Sequence, residues 1–410
     1  MYDFVIVGGG IIGLSTAMNL GQTYPEAKIA VLEKESQWAS HQTGHNSGVI
    51  HSGIYYKPGG FKAKFCRAGN RSMVEFCQQH NIDYDICGKV IVAVEESELP
   101  QLEKIYQRGL KNGLKVRKIN PDEVKEIEPH VRCLAALHVP STGIVDYQQV
   151  AQKYADLIRL QDGELYLNTK VVKIINRDNV QILETTQGKF ETRFTINCAG
   201  LQSDRIAKLD KAKPEAKIVP FRGEYYELIP EKRSLVNTLI YPVPNPDFPF
   251  LGVHFTKMID GSVHAGPNAV LSLKREGYQK TDFNLRDFME VMTYPGFWRL
   301  AAKHSEEGIQ EIIRSFSKAA FVRSLQRLIP AVQAEDLIPT HAGVRAQALR
   351  NDGNLVDDFL IVSRQNSVHV CNAPSPAATS SIEIGKAVVE KIVEQSPIEL
   401  PSGQKVASNN

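Results

Sequence analysis

A chain of 410 residues exceeds what one compact core ordinarily absorbs, so two domains or one elaborated domain is expected. Hydrophobic residues at 42% and charged residues at 23% exclude a largely disordered chain. Lys and Arg number 48 against 46 Asp and Glu, and a net charge of only +2 argues against a nucleic-acid partner.

In chain order, the apolar run Phe4-Val5-Ile6-Val7 leads straight into Gly8-Gly9-Gly10-Ile11-Ile12-Gly13, and a second apolar run, Ala30-Val31-Leu32, ends in Glu33 about twenty residues later. This is the pattern of a dinucleotide-binding βαβ unit. Gly8 allows the tight turn, Gly10 lets the backbone approach a pyrophosphate and Gly13 lets helix pack on strand, while Glu33 accepts ribose hydroxyls. The block Ser40-His41-Gln42-Thr43-Gly44-His45-Asn46-Ser47 follows, packed with small hydrogen-bonding residues suited to a ribityl chain. A helix is expected over 62–79, a strand over 90–94, a charged helix over 95–112 and a further helix over 146–160. Short strands at 165–167, 171–175, 180–185 and 189–192 precede Phe194-Thr195-Ile196-Asn197-Cys198-Ala199-Gly200, a second strand-to-glycine element. Residues 218–267, rich in β-branched and aromatic side chains and punctuated by Pro242, Pro244, Pro246 and Pro249, fit an antiparallel sheet. A long helical region over 283–328, broken at Pro295-Gly296, leads to strands at 355–362 and 368–372. A last helix opens around 375–381.

These elements predict an α/β chain (α+β overall). Residues 1–85, 145–217 and 335–400 form a discontinuous Rossmann-type domain, 86–144 and 218–334 a mostly antiparallel substrate domain, and 401–410 a flexible tail. Six scattered cysteines without a Cys-x-x-Cys pair indicate neither a zinc site nor a disulfide framework, so no metal is expected. No apolar stretch reaches the ~18 residues that span a bilayer, and the strand at residue 2 leaves no room for a leader, which predicts a cytoplasmic protein.

The Ser40 block and the helix start near 375 select FAD over NAD, because a positive helix end beside the pyrimidine ring of a flavin favours its reduced form. Further strings then carry a resemblance. His45-Asn46-Ser47-Gly48-Val49-Ile50-His51-Ser52-Gly53-Ile54-Tyr55-Tyr56, Cys87-Gly88-Lys89-Val90-Ile91-Val92-Ala93, Phe221-Arg222-Gly223-Glu224-Tyr225-Tyr226, Gly252-Val253-His254-Phe255-Thr256 and Ala342-Gly343-Val344-Arg345 are similar to the L-2-hydroxyglutarate dehydrogenase/oxidase branch of the D-amino-acid-oxidase-like FAD enzymes. The resemblance implies a glutathione-reductase-like FAD domain and a substrate sheet over the flavin. It also implies oxidation of L-2-hydroxyglutarate to 2-oxoglutarate, with electrons passed to a quinone or to oxygen.

A 2-hydroxy acid needs a base and anion anchors. His51 and His254 are candidates for the base. Arg345 is the candidate carboxylate clamp, with Arg222 as a second anchor. Tyr55, Tyr225 and His264 complete the expected substrate contacts. The expected FAD contacts are Gly8, Gly10, Ile12, Gly13, Glu33, Lys34, Ser40, Thr43, Gly44, His45, Asn46, Ser47, Val172, Ala199, Gly200, Ala377 and Thr379. The basic and apolar residues from Phe297 to Arg327 read either as a core-facing helix or as a peripheral membrane contact at the inner face, giving access to quinone. Two other readings stand beside the hydroxyacid oxidation: an amine or amino-acid oxidase on the same fold, and a nucleotide-binding module without turnover.

Overall fold

Every residue of the strand Tyr2–Val7 after the first is buried, which is why it reads as a continuous apolar run rather than an alternating one. It pairs in parallel with Ile29–Leu32 on one side and with Gly188–Asn197 on the other. The helix Ile11–Thr23 makes the crossover and is itself buried on nearly all sides. The computed structural model describes residues 1–246 and 250–395, so the expected tail over 401–410 lies outside the described residues.

Eight strands form this nucleotide-binding sheet, drawn from three separated parts of the chain. Its main path runs Val171–Arg177, Val180–Thr185, Gly188–Asn197, Tyr2–Val7, Ile29–Leu32 and Glu164–Tyr166. Gly188–Asn197 is one ten-residue strand where the sequence suggests two. Its first half pairs antiparallel with Val180–Thr185, and beyond Phe194 the same edge takes Ser367–Asn372 in parallel. Leu360–Arg364 then pairs with Ser367–Asn372.

A second eight-stranded sheet runs Leu337–Pro339, Tyr226–Leu228, Val263–Gly266, His254–Lys257, Leu239–Pro242, Lys89–Ala93, Ala135–Val139 and Arg117–Ile119. All its junctions are antiparallel except Leu239–Pro242 beside Lys89–Ala93, which joins the two inserted segments of the chain. Lys89–Ala93 is buried on both faces, with Val90 and Val92 in one apolar cluster and Ile91 and Ala93 in another.

Three features depart from the sequence reading. Gly343–Arg350 is a strand hydrogen-bonded to Ala216–Gly223 along its whole length, so the chain rejoins the nucleotide sheet at Leu360 rather than at 335. Ala, Arg and Gln are weak strand formers, and cross-strand pairing overrides them. The helical region is broken three times, into Leu285–Met292, Pro295–Lys303, Ser305–Phe316 and Lys318–Gln326. Tyr294, driven into an extended conformation by Pro295, makes the first break. Finally, the last helix begins at Ser381, and residues 375–380 form turns.

Candidate active site

One cavity of about 1400 Å³ runs from the glycine turn of the first strand to the face of the second sheet that carries Tyr241 and His254. At its nucleotide end the glycines act sterically. Gly8 stands at φ 113°, a conformation closed to side chains, and a Cβ on Gly13 would overlap the Gly8 carbonyl oxygen. Gly10 caps the helix Ile11–Thr23 without a side-chain hydrogen bond, and the first turn carries no acid. The positive helix end is therefore left for an anion. Glu33 accepts the Gly9 N–H at 2.7 Å through one carboxylate oxygen and the Glu35 N–H at 2.9 Å through the other. A carboxylate has about four acceptor positions, so two remain for ribose hydroxyls.

The Ser40 block folds into a turn clipped by Asn46, which donates to the Thr43 carbonyl at 2.7 Å and accepts the Gly48 N–H at 2.8 Å. Thr43 Oγ1 accepts the Ile11 N–H at 3.0 Å, and the His45 ring stacks on Tyr278 with centroids 4.3 Å apart. Ile12, Lys34, Ser40, Ser47, Val172, Ala199, Gly200, Ala377 and Thr379 line the same cavity. Lys34 is bound to Glu35 and, at 3.0 Å, to Glu276. Thr379 Oγ1 accepts the His51 N–H at 3.1 Å, tying the returning turn to the substrate end. A helix start without an acid, a part-spent carboxylate and a glycine turn that side chains would fill suit a dinucleotide such as FAD.

At the substrate end, His254 Nδ1 donates to the Gly252 carbonyl at 2.9 Å, which leaves Nε2 as an acceptor. Its ring lies 4.0 Å from that of Tyr241. Burial, and after it the charges of Lys89 and His254, holds the His51 imidazole down to about 3. Burial, with Arg345 and Lys89 adding to it, holds His254 down to about 3. Both rings are neutral at pH 7. An anion bound beside them raises their basicity. Arg345 stands over the Phe250 ring at 5.4 Å and, among the described residues, pairs with no carboxylate. Tyr55 and Tyr225 also line this end.

Four expected residues do not line the cavity. Arg222 is the instructive one. Phe221 sits opposite Arg345 and Arg222 opposite Val344, so the pleat turns the two arginines to opposite faces. Arg222 is spent on Glu224 at 2.9 Å and on the Gln279 carbonyl at 2.8 Å. His264 lies opposite Thr256, two residues along from His254, and that offset of ~7 Å carries it toward His341. Gly44 packs against Gln148 and the Ala39 carbonyl, and Gly13 packs beneath the glycine turn. The sequence reading missed Tyr241, Phe250 and Glu276 in the lining and the buried Lys89 behind it. Of these only Lys89 left a signal, a lone charge at the head of an apolar strand.

The fold and this two-ended cavity define a flavoprotein oxidoreductase. Residues 3–391 match the family described as DAO, FAD dependent oxidoreductase, and the chain belongs to that family, with FAD as its cofactor. The L-2-hydroxyglutarate dehydrogenase of Indibacter alkaliphilus is 51% identical over 391 residues, covering 95% of this chain and 98% of that one. The enzyme of the same name from Escherichia coli is 49% identical over 393 residues, covering 96% and 93%. Among solved structures, the dithionite-reduced, FAD-bound L-alpha-glycerophosphate oxidase of Mycoplasma pneumoniae shares the fold with a TM-score of 0.77. It is 22% identical and covers 95% of this chain and 94% of its own.

Proposed function

We propose that this chain oxidises L-2-hydroxyglutarate to 2-oxoglutarate and hands the electrons to a quinone or to oxygen. The observation that carries the reading is the pairing of an uncommitted guanidinium, Arg345, with two neutral imidazoles in a cavity continuous with the nucleotide cradle. When bound, FAD supplies the two-electron acceptor that takes the α-hydrogen as hydride at N5. Arg345 binds the carboxylate next to the hydroxyl through two parallel hydrogen bonds and fixes the carbon that must face the flavin. His254 Nε2 or His51 takes the hydroxyl proton, and the Gly252 carbonyl stabilises the resulting imidazolium through Nδ1–H. Anaerobic addition of L-2-hydroxyglutarate to the holoenzyme is expected to bleach the flavin. Bleaching by amino acids alone would instead establish an amine oxidase.

The acceptor is reached at a membrane surface. Ile309, Ile312, Ile313 and Phe316 project from the helix Ser305–Phe316 at helical spacing, and all are exposed, Phe316 by 80%. Trp298 is exposed on the helix before it, as are Arg299 and Lys303. No helix among the described residues is long and apolar enough to cross a membrane, so the contact is peripheral. Flotation with anionic vesicles tests this, and protein that remains at the bottom of the gradient removes the membrane step.

A further inference from the structure

Lys89 is only 1% exposed, as buried as Arg275. The two differ in company. Arg275 is held by Asp204, at 2.9 Å through Nη2, and by Glu290 at 3.1 Å. The Lys89 ammonium has no carboxylate partner and no hydrogen bond among the described residues. Its ammonium instead lies over the faces of two tyrosines, 4.6 Å from the Tyr55 centroid and 4.7 Å from that of Tyr241. Aromatic faces offset only part of the cost of burying a cation, so the site is short of one anion.

Strand register explains the placement. Lys89 sits opposite Leu239, and Tyr241 lies two residues further along that strand on the same face. The pairing of Leu239 with Thr256 then brings Tyr241 beside His254. Both tyrosines line the cavity and Lys89 stands behind them, with the Tyr55 hydroxyl buried and unpartnered among the described residues. The field of Lys89 reaches His51 and His254, and that of Arg345 reaches His254 as well, so two cations converge on one imidazole.

We propose that Lys89 is the specificity-determining charge for a second carboxylate. From behind the Tyr55 and Tyr241 rings it draws the distal carboxylate of a 2-hydroxy dicarboxylic acid, while Arg345 holds the carboxylate beside the hydroxyl. This rests on the hydroxyacid reading above and adds to it the reason why a dianion is preferred to a monoanion of the same length.

Burial lowers Lys89 to about 7. The titratable and charged groups facing it are Tyr55 and Tyr241, both raised, Cys66, pushed up to about 12, and His51 and His254, both held down to about 3. Without a bound anion, only Lys89 in that set changes charge between pH 6 and pH 9. A lysine of lowered pKa is charged below that value and neutral above it, so its attraction for an anion is present at pH 6 and lost as pH rises past about 7.

The test uses the holoenzyme with glutarate and pentanoate, five-carbon acids that lack a hydroxyl and cannot be oxidised, read by perturbation of the flavin spectrum. Lys89→Met is expected to weaken glutarate by ~30-fold or more, the scale for removing one partner of a desolvated charge pair, and to leave pentanoate within ~2-fold. Equal weakening of both acids, or unchanged glutarate affinity, overturns the proposal. Flavin content and melting temperature report whether the variant has folded. Should it fail to fold, the wild type decides alone. Its preference for glutarate over pentanoate is expected to fall between pH 6 and pH 9, and parallel curves overturn the assignment. If L-2-hydroxyglutarate fails to bleach a wild-type protein that still prefers glutarate, the functional reading fails while this inference stands.

Discussion

The two ends of the cavity are built by different means. At the nucleotide end the turn is built from backbone and glycine in the first fifty residues and is closed by Val172, Ala199, Gly200, Ala377 and Thr379 from later segments, and what matters at the turn is the absence of side chains at Gly8, Gly10 and Gly13. At the substrate end the contacts come from side chains on strands and loops spread from His51 to Arg345, brought together by the second sheet and by the pairing of Gly343–Arg350 with Ala216–Gly223. A turn that leaves N–H groups bare serves any dinucleotide, whereas selecting one small acid takes charges placed at a few points.

Two substitutions sharpen this contrast. The larger effect is expected from Gly13→Ala. Its new methyl overlaps a backbone oxygen that no flexible side chain can vacate, so the purified protein should be nearly colourless and melt at a lower temperature. A yellow Gly13→Ala protein of unchanged melting temperature would mean that the turn can yield, and the contrast would break. The smaller effect is expected from His254→Asn, which should retain FAD fully and bind substrate while flavin reduction slows by ~10²–10⁴-fold, the range for a lost general base. Wild-type reduction rates in stopped flow would move the proton to His51. Loss of FAD from the same variant would show that the two ends are not independent.

This division also explains what could be read from the chain. The βαβ unit was legible because each of its requirements is met within thirty residues. The helix Phe61–His80 and the strands Val171–Arg177 and Val180–Thr185 were legible from periodicity alone. The strand Gly343–Arg350 was not, because its stability lies in its pairing with Ala216–Gly223, over a hundred residues earlier. The same pairing separates the expected clamp Arg345 from the expected second anchor Arg222, since a one-residue difference in register exchanges a cavity wall for a buried ion pair. The surroundings of Lys89 were hidden for a related reason. Its tyrosine neighbours come from a loop and from a strand about 150 residues away. Likewise, exposure of the Ile309 and Phe316 face depends on which neighbouring helices cover it, which helical spacing does not tell.

The helix Ile11–Thr23 carries a consequence for the order in which the protein can be made. It is buried chiefly by Tyr147–Leu160 and by Ser381–Gln395, the latter joined to it where Ser15 donates to the Ser381 carbonyl at 2.8 Å. As the polypeptide leaves the ribosome, its earliest helix therefore gains part of its cover by residue 160 and waits for nearly four hundred residues before the rest arrives. Until then the face that Ser381–Gln395 covers is bare. Contacts between such distant parts of a chain close slowly, and the nucleotide cradle, the first element synthesised, is among the last to be finished.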